Sequence, residues 1–270
     1  MDKNKKLYVL ILLTSLVAFF TYSYATNFLN IHYKAQRILY IFHTARFVIS
    51  ENRTFSPINT SQFIKQSDYK NIQEVQYNIT VSQGSVDITD TSESTYFVST
   101  KSVRSPFGVS VHNKVNTDKL LINLGDDGEP ESLSTPDSIK YGIEFGRQTI
   151  PVDLDFYAGK ASVKSSFTNL NLRKFKFNNT FGSADFSFSS NSIPKETFEI
   201  ETVSGKVSIA LPEEIGVKVT YETIGSNSKL DETEFVKSGE YYSNNYKQSK
   251  IKLNIFFTTS TGHLFVRRTL

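Results

Sequence analysis

Four carboxylates crowd into the seven residues Gly125-Asp126-Asp127-Gly128-Glu129-Pro130-Glu131, and their oxygens are of the type that binds calcium. The ligand spacing of an EF-hand loop is missing, and the two glycines and the proline suit a solvated hairpin turn, so the run reads as a loop. The four histidines, His32, His43, His112 and His263, are too far apart for the close pairing of a zinc site. No serine sits in a nucleophile elbow, and no His and Asp accompany one in a recognisable order. Zero cysteines remove thiolate chemistry, thiolate metal ligation and a disulfide framework together. The basic cluster Arg173, Lys174 and Lys176 is the nearest thing to the Lys, Arg and Asp face that polysaccharide lyases use on parallel β-helices. Lys174 and Lys176 alternate with Phe175 and Phe177, however, and that alternation alone puts them on the outside of a strand. Sequons at Asn52, Asn59, Asn78 and Asn178 occur about as often as chance predicts and carry no weight. The sequence thus assigns no catalytic, cofactor-binding or metal residue, and no cofactor.

Composition narrows the classes further. The chain has 270 residues, 39% hydrophobic and 21% charged, which is globular and large enough to bury a core. Thirty Lys and Arg stand against 27 Asp and Glu, and part of the +3 balance is Lys3, Lys5 and Lys6 at the start. Nucleic-acid binding by bulk charge is excluded as an expectation.

The elements that must carry any site begin with an address. After the n-region 1–6, the 19 residues Leu7 to Ala25 hold no charge, and as a helix they would reach roughly 28 Å, close to bilayer thickness. An uncleaved single-pass signal anchor is the preferred reading, because a cleavable apolar core usually spans only about 7 to 15 residues. The alternative is a signal peptide cut after Ala25, releasing a secreted protein. In residues 26–50, Phe28, Ile31, Ala35, Ile38, Phe42, Ala45 and Ile49 recur at three- and four-residue steps, as on an amphipathic helical stalk. That seam could join two copies as a homodimer. Leu39, Ile41, Phe47 and Val48 widen it, which suits packing on the folded domain or the membrane surface instead. Residues 51–70, with Ser56-Pro57 and several Asn and Ser, read as a linker.

From residue 71 to 270 the period becomes two and the expected class is mainly β. One unit recurs five times: two apolar residues a residue apart, four positions, a glycine, then two more alternating apolar residues. The units are Tyr77, Ile79, Gly84, Val86, Ile88; Val152, Leu154, Gly159, Ala161, Val163; Phe175, Phe177, Gly182, Ala184, Phe186; Phe198, Ile200, Gly205, Val207, Ile209; and Ile255, Phe257, Gly262, Leu264, Val266. Gly159, Gly182 and Gly205 stand 23 residues apart, near the length of one solenoid coil, whereas Gly225 falls out of register. A strand, tight bend, strand unit stacked into a β-solenoid fits that spacing; an antiparallel β-sandwich with a glycine in each hairpin is the alternative.

Residues 154–268 resemble the toast-rack proteins, through "LDFYAGKASVKSSFTNLNLRKFKFNNTFGSADFSFSS", "FEIETVSGKVSIALPEEIGVKVTYETIG", the "GEYYSNNY" element and the terminal "STGHLFVRR". That group includes bacterial adhesin-like domains and the C-terminal domains of cell-wall-active antibiotic response proteins. The resemblance implies a right-handed β-solenoid-like domain displayed at a bacterial envelope, non-catalytic, and in some members a modulator of envelope-stress signalling. The antibiotic-response members carry several membrane helices where this chain has one, and no functional residues transfer. The expected protein is therefore a single-pass cell-membrane protein whose extracytoplasmic domain binds a protein or a surface polysaccharide, through an exposed face around Tyr241, Tyr242 and Tyr246. A carbohydrate-active β-helix enzyme is the second class, and a pilin-like subunit an outsider that lacks the processing glycine and following glutamate.

Overall fold

Along one strand the buried side chains change phase at a glycine. Val75, Tyr77, Ile79 and Val81 are buried at odd positions, and past Gly84 the even positions Val86 and Ile88 take over. Successive strand residues face opposite sides, so this switch requires the strand to turn a corner while keeping one side inward. The same switch occurs between Phe177 and Ala184, and between Ile200 and Val207.

The computed structural model describes residues 58–105, 110–125, 140–223, 229–230, 235–238 and 240–269. Its strands are β1 (Ile58–Lys65), β2 (Glu74–Asp90), β3 (Tyr96–Ser105), β4 (Ser110–Asn116), β5 (Lys119–Gly125), β6 (Lys140–Phe145), β7 (Gln148–Phe167) and β8 (Leu170–Phe188). They continue as β9 (Thr197–Pro212), β10 (Ile215–Thr223), β11 (Lys229–Leu230), β12 (Phe235–Ser238), β13 (Glu240–Ser243), β14 (Ile251–Thr259) and β15 (His263–Thr269). All fall in one unit, Glu51–Leu270.

The centre is a stack of parallel, cornered rungs. β2, β7, β8 and β9 each run unbroken round the corner and pair in that order. β5 and β6 lie on the outer side of β2, one on each half, and β14 and β15 do the same on β9. β10 and β11 add a last rung on β14 and β15. Antiparallel strands close the ends: β3 on β6 and β1 on β3 at one, β13 on β10 and β12 on β13 at the other. Parallel pairing through the centre is the solenoid arrangement, and it overturns the antiparallel sandwich alternative. β1 and β12 are thus the outermost strands of that order.

Register corrects the repeat as read from the sequence. Leu154 pairs with Phe175, and Phe175 with Phe198, so successive rungs are 21 and then 23 residues apart. The corner column runs Gly84, Ala161, Gly182, Gly205. Gly159 lies two residues before that column, and the second unit is shifted with it: Leu154, Phe156 and Val163 are the residues that align with Tyr77, Ile79 and Val86. Gly182 and Gly205 have φ of +125° and +149°, a region that side chains oppose. A Cβ at Gly182 would also sit 2.1 Å from the Ala161 carbonyl oxygen, and one at Gly205 2.2 Å from that of Gly182.

Inside the corner the rungs stack aromatic rings. Phe175 meets Phe167, Phe186, Phe188 and Phe198 at centroid distances of 6.0, 5.1, 5.5 and 5.1 Å, and all five rings are fully buried. Burying each such side chain is worth about 1.5–3 kcal/mol, with the edge-to-face geometry adding to it. The corner itself is polar: Asn179 and Thr202 are register partners, both buried, with side-chain atoms that find no hydrogen-bond partner among the described residues. It therefore costs stability that the aromatic column offsets.

β1 occupies part of the stretch expected to be a linker, so the β domain starts earlier than residue 71. Its pairing with β3 is non-local, and Pro57 and the surrounding polar residues disguised it in the sequence. The apolar segment Leu7–Ala25, the amphipathic residues 26–50 and the acidic residues 126–131 lie outside the described residues. Among the described residues, no helix is long and apolar enough to cross a membrane.

Candidate functional site

The residues singled out for chemistry do not converge. His112 lies on β4, and His263 begins β15 with its ring 6.5 Å from Phe265; His32 and His43 are outside the described residues. Among the described residues no three His, Cys, Asp or Glu are grouped to hold a metal.

The basic cluster has a structural occupation. Arg173 on β8 forks onto Asp153 of β7, Nε to Oδ1 at 2.8 Å and Nη2 to Oδ2 at 2.7 Å, and reaches Glu74 of β2 at 2.8 Å. Lys119 of β5 meets Glu74 at 3.0 Å, so four consecutive rungs are tied by one ionic row. Asp153 is buried, a position a carboxylate occupies only with such a partner. The Lys119 hydrogen bond, seconded by Arg173, holds the Glu74 carboxyl below its ordinary value. On the exposed part of the face Lys176 pairs with Glu199 at 2.8 Å and Lys174 lies 3.9 Å from Glu196. Asp155, beside this row, is pushed up chiefly by burial, with Lys176 pulling the other way. Cation by cation the cluster is matched to carboxylates on neighbouring rungs, which is how the register is pinned.

A second surface is built differently. β13 ends at Ser243, and the turn from Asn244 to Lys250 returns the chain to β14. Val217 N–H donates to Ser243 Oγ at 2.9 Å, and Ser243 Oγ donates to Asn245 Oδ1 at 2.7 Å. Asn245 Nδ2 donates to the Glu213 and Ile215 carbonyls at 2.6 and 3.2 Å. Arg268 completes the brace from β15: Nη1 donates to the Ile215 and Pro212 carbonyls at 2.8 and 3.3 Å, and Nη2 to Asn245 Oδ1 at 3.3 Å. Gly216 allows the turn to lie this close, since a Cβ there would come within 3.0 Å of Tyr246 Cα and 2.9 Å of Ser249 Cβ.

This platform presents rings and cations in sequence. Lys218 and Tyr242 are register partners on β10 and β13, with Lys218 Nζ 5.9 Å from the Tyr242 ring centroid. Tyr242 meets Tyr246 edge-on at 5.0 Å, and Lys252 Nζ lies 5.1 Å from the Tyr246 ring. Lys252, Asn254 and Phe256 alternate outward along β14, and Phe256 is 46% exposed. Tyr241 departs from the expectation. Neighbours on a strand face opposite sides, so it turns inward, packing against the core edge-on to Tyr221 at 6.3 Å. The outward set is Tyr242 and Tyr246 with Lys218, all three half-buried, and the exposed Lys252. Lys218 and Lys252 carried no sequence signal, because strand pairing and the turn bring them to the tyrosines.

The described residues thus form a cornered parallel β stack with an outer face of paired charges and a braced aromatic turn. Residues 159–266 match the family of the C-terminal domain of LiaF, a cell wall-active antibiotics response protein. The resemblance to the toast-rack proteins is therefore shown. Among solved structures, a candidate cell adhesion protein from Clostridium sporogenes is 16% identical, aligns with 79% of this chain and 100% of its own, and has a TM-score of 0.63. At that identity the likeness establishes the fold. A candidate adhesin from Bacteroides fragilis, 8% identical over 79% of this chain and 98% of its own, has a TM-score of 0.21. No curated protein matches the chain.

Proposed function

We propose that the chain is a non-enzymatic cell-envelope protein, anchored by Leu7–Ala25, whose exported β domain binds a protein or a surface polymer. The observation that carries this reading is the aromatic and basic patch of Tyr242, Tyr246, Lys218 and Lys252, held rigid by Asn245 and Arg268. Pre-set side chains on a stiff scaffold lose little freedom on binding, which is what a recognition surface requires. The match of residues 159–266 to an antibiotic-response domain of the cell wall supports the envelope setting, adhesin-like or related to envelope stress. Non-enzymatic action is supported by the outer-face carboxylates Glu74, Asp153 and Glu199, which are bound to lysine and arginine rather than aimed together at one point.

The test is fractionation of cells that make the full chain, with protease added outside and the amino terminus of the recovered protein sequenced. The expected result is residues 1–25 retained in the membrane and the β domain digested from outside. A β domain protected from external protease would overturn the reading, and a soluble protein beginning at Thr26 would replace anchoring with secretion.

A further inference from the structure

We infer that the Tyr242–Tyr246 platform is a binding site for an acidic polysaccharide whose sugars carry carboxylates, an inference that rests on the exported placement proposed above. First, the local charge is basic on balance: from Glu240 to Lys252 the chain holds Lys247, Lys250 and Lys252 against Glu240 alone, and Lys218 adds a fourth cation across the β10–β13 pairing. The other acidic residues on neighbouring β10 and the turn before it are Glu213, Glu214 and Glu222. Glu214 there accepts a hydrogen bond from Ser190 and is held below its ordinary value by it. Second, cations and phenol rings alternate as Lys218, Tyr242, Tyr246, Lys252, with contacts of 5.9, 5.0 and 5.1 Å. A sugar ring presents C–H groups to an aromatic face and hydroxyls to a phenol, while its carboxylate seeks an ammonium, so each ring-and-lysine pair matches one uronic residue.

Third, the four side chains lie on the broad side of the sheet, Lys252 exposed and the other three half-buried. β13 is paired to β10 on one side and to β12 on the other, so it offers no free backbone edge of the kind that captures extended peptides. Recognition falls to side chains, which suits a polymer whose own backbone does not pair with strands. Fourth, the outward row continues along β14 through Asn254 to the exposed Phe256, giving a linear track rather than a single point. Strand residues on one face recur about every 6.8 Å, so the row from Lys252 to Phe256 spans on the order of 13 Å, enough for more than one sugar.

The experiment titrates the full chain, in neutral detergent micelles, with three soluble polymers: polygalacturonate, the same polymer with its carboxylates methyl-esterified, and poly-L-glutamate. The expected order is polygalacturonate tightest, with the esterified form and poly-L-glutamate each weaker by about tenfold or more, because one lacks the charge and the other the sugar. Lys252→Gln should weaken polygalacturonate binding about three- to tenfold and flatten its salt dependence. Tyr246→Ala should weaken it by about tenfold, and Tyr246→Phe by less. Lys252 is an exposed side chain, so its replacement tests the site without threatening the fold, and an unchanged melting temperature verifies this. No binding of polygalacturonate overturns the inference, as does equal binding of its ester. Equal or tighter binding of poly-L-glutamate also overturns it, in favour of an acidic protein segment. Unchanged affinity of both Lys252→Gln and Tyr246→Ala places binding elsewhere and overturns it too. A β domain that is exported yet fails here loses only this inference, whereas a protected domain loses the function on which it rests.

Discussion

Replacing Gly182 by alanine adds one carbon at the tightest point of the rung stack. At φ +125° an L-residue carries a backbone strain of about 1–3 kcal/mol. The added Cβ would sit 2.1 Å from the Ala161 carbonyl oxygen, more than 1 Å inside van der Waals contact, so β7 and β8 must part at the corner. Lengthening one or two ladder hydrogen bonds there costs about another 1–2 kcal/mol. The total is about 3 kcal/mol, which for a domain of this size lowers Tm by about 6–12 °C. Gly142→Ala is the internal control. Its Cβ would meet the Lys101 carbonyl oxygen at 3.8 Å, an ordinary contact, and its φ is not positive. That change should leave stability unaltered or raise it by up to about 1 kcal/mol. The assay is thermal unfolding of each full-length variant followed by the far-ultraviolet circular dichroism of the β domain. If Gly182→Ala melts within about 2 °C of the parent protein, or no lower than Gly142→Ala, the corner is not held as described and the argument fails.

Four further outcomes are expected. Arg173→Met leaves the buried Asp153 without its fork and should cost about 2–3 kcal/mol in denaturant unfolding; Arg173→Lys should restore only part, since an ammonium cannot bind both oxygens. Glu74 has a folded-state value below its unfolded one, so its contribution is present above the unfolded value near 4.3 and is lost as pH falls through the folded value. Tm should therefore drop on acidification below about pH 4, and Glu74→Gln should flatten that part of the curve. Asp155 shifts upward through burial, so its charged form opposes folding as pH rises. Asp155→Asn, which still accepts from Gln76, should raise Tm at neutral pH and have little effect in acid. Asn245→Ala should cost about 1–2 kcal/mol and speed amide exchange across residues 244–249, because Arg268, Ser243 and two backbone carbonyls lose their common partner.

Several of these positions were visible in the residues alone, and several were not. Gly182 and Gly205 could be marked as bends, because apolar alternation on either side of each changes phase and only glycine is free to turn there. Gly159 looked equivalent and is not: its 23-residue distance from Gly182 coincides with the next interval, while the true step between those rungs is 21. Arg173 read as an ordinary outer-face cation, and its bonds to Asp153 and Glu74 appear only when rungs 20 and 99 residues apart are laid side by side. Tyr241 and Tyr242 are adjacent, so the strand had to send one inward, but which one depended on the pairing of β13 with β10.

By itself the sequence determined what is local: the β character, the inward face of the long central strands, the bends at Gly84, Gly182 and Gly205, and the absence of a thiol or a recognisable catalytic motif. Alternation and backbone strain act within a few residues, and so they can be read in one dimension. The tertiary structure decided the order of the rungs, with β2 between β5–β6 and β7, the closing of both ends by antiparallel strands, and the braced platform where Lys218 meets Tyr242. Those depend on which side chains fill one shared interior and on hydrogen bonds between strands distant in the chain, energies that no window of neighbouring residues contains.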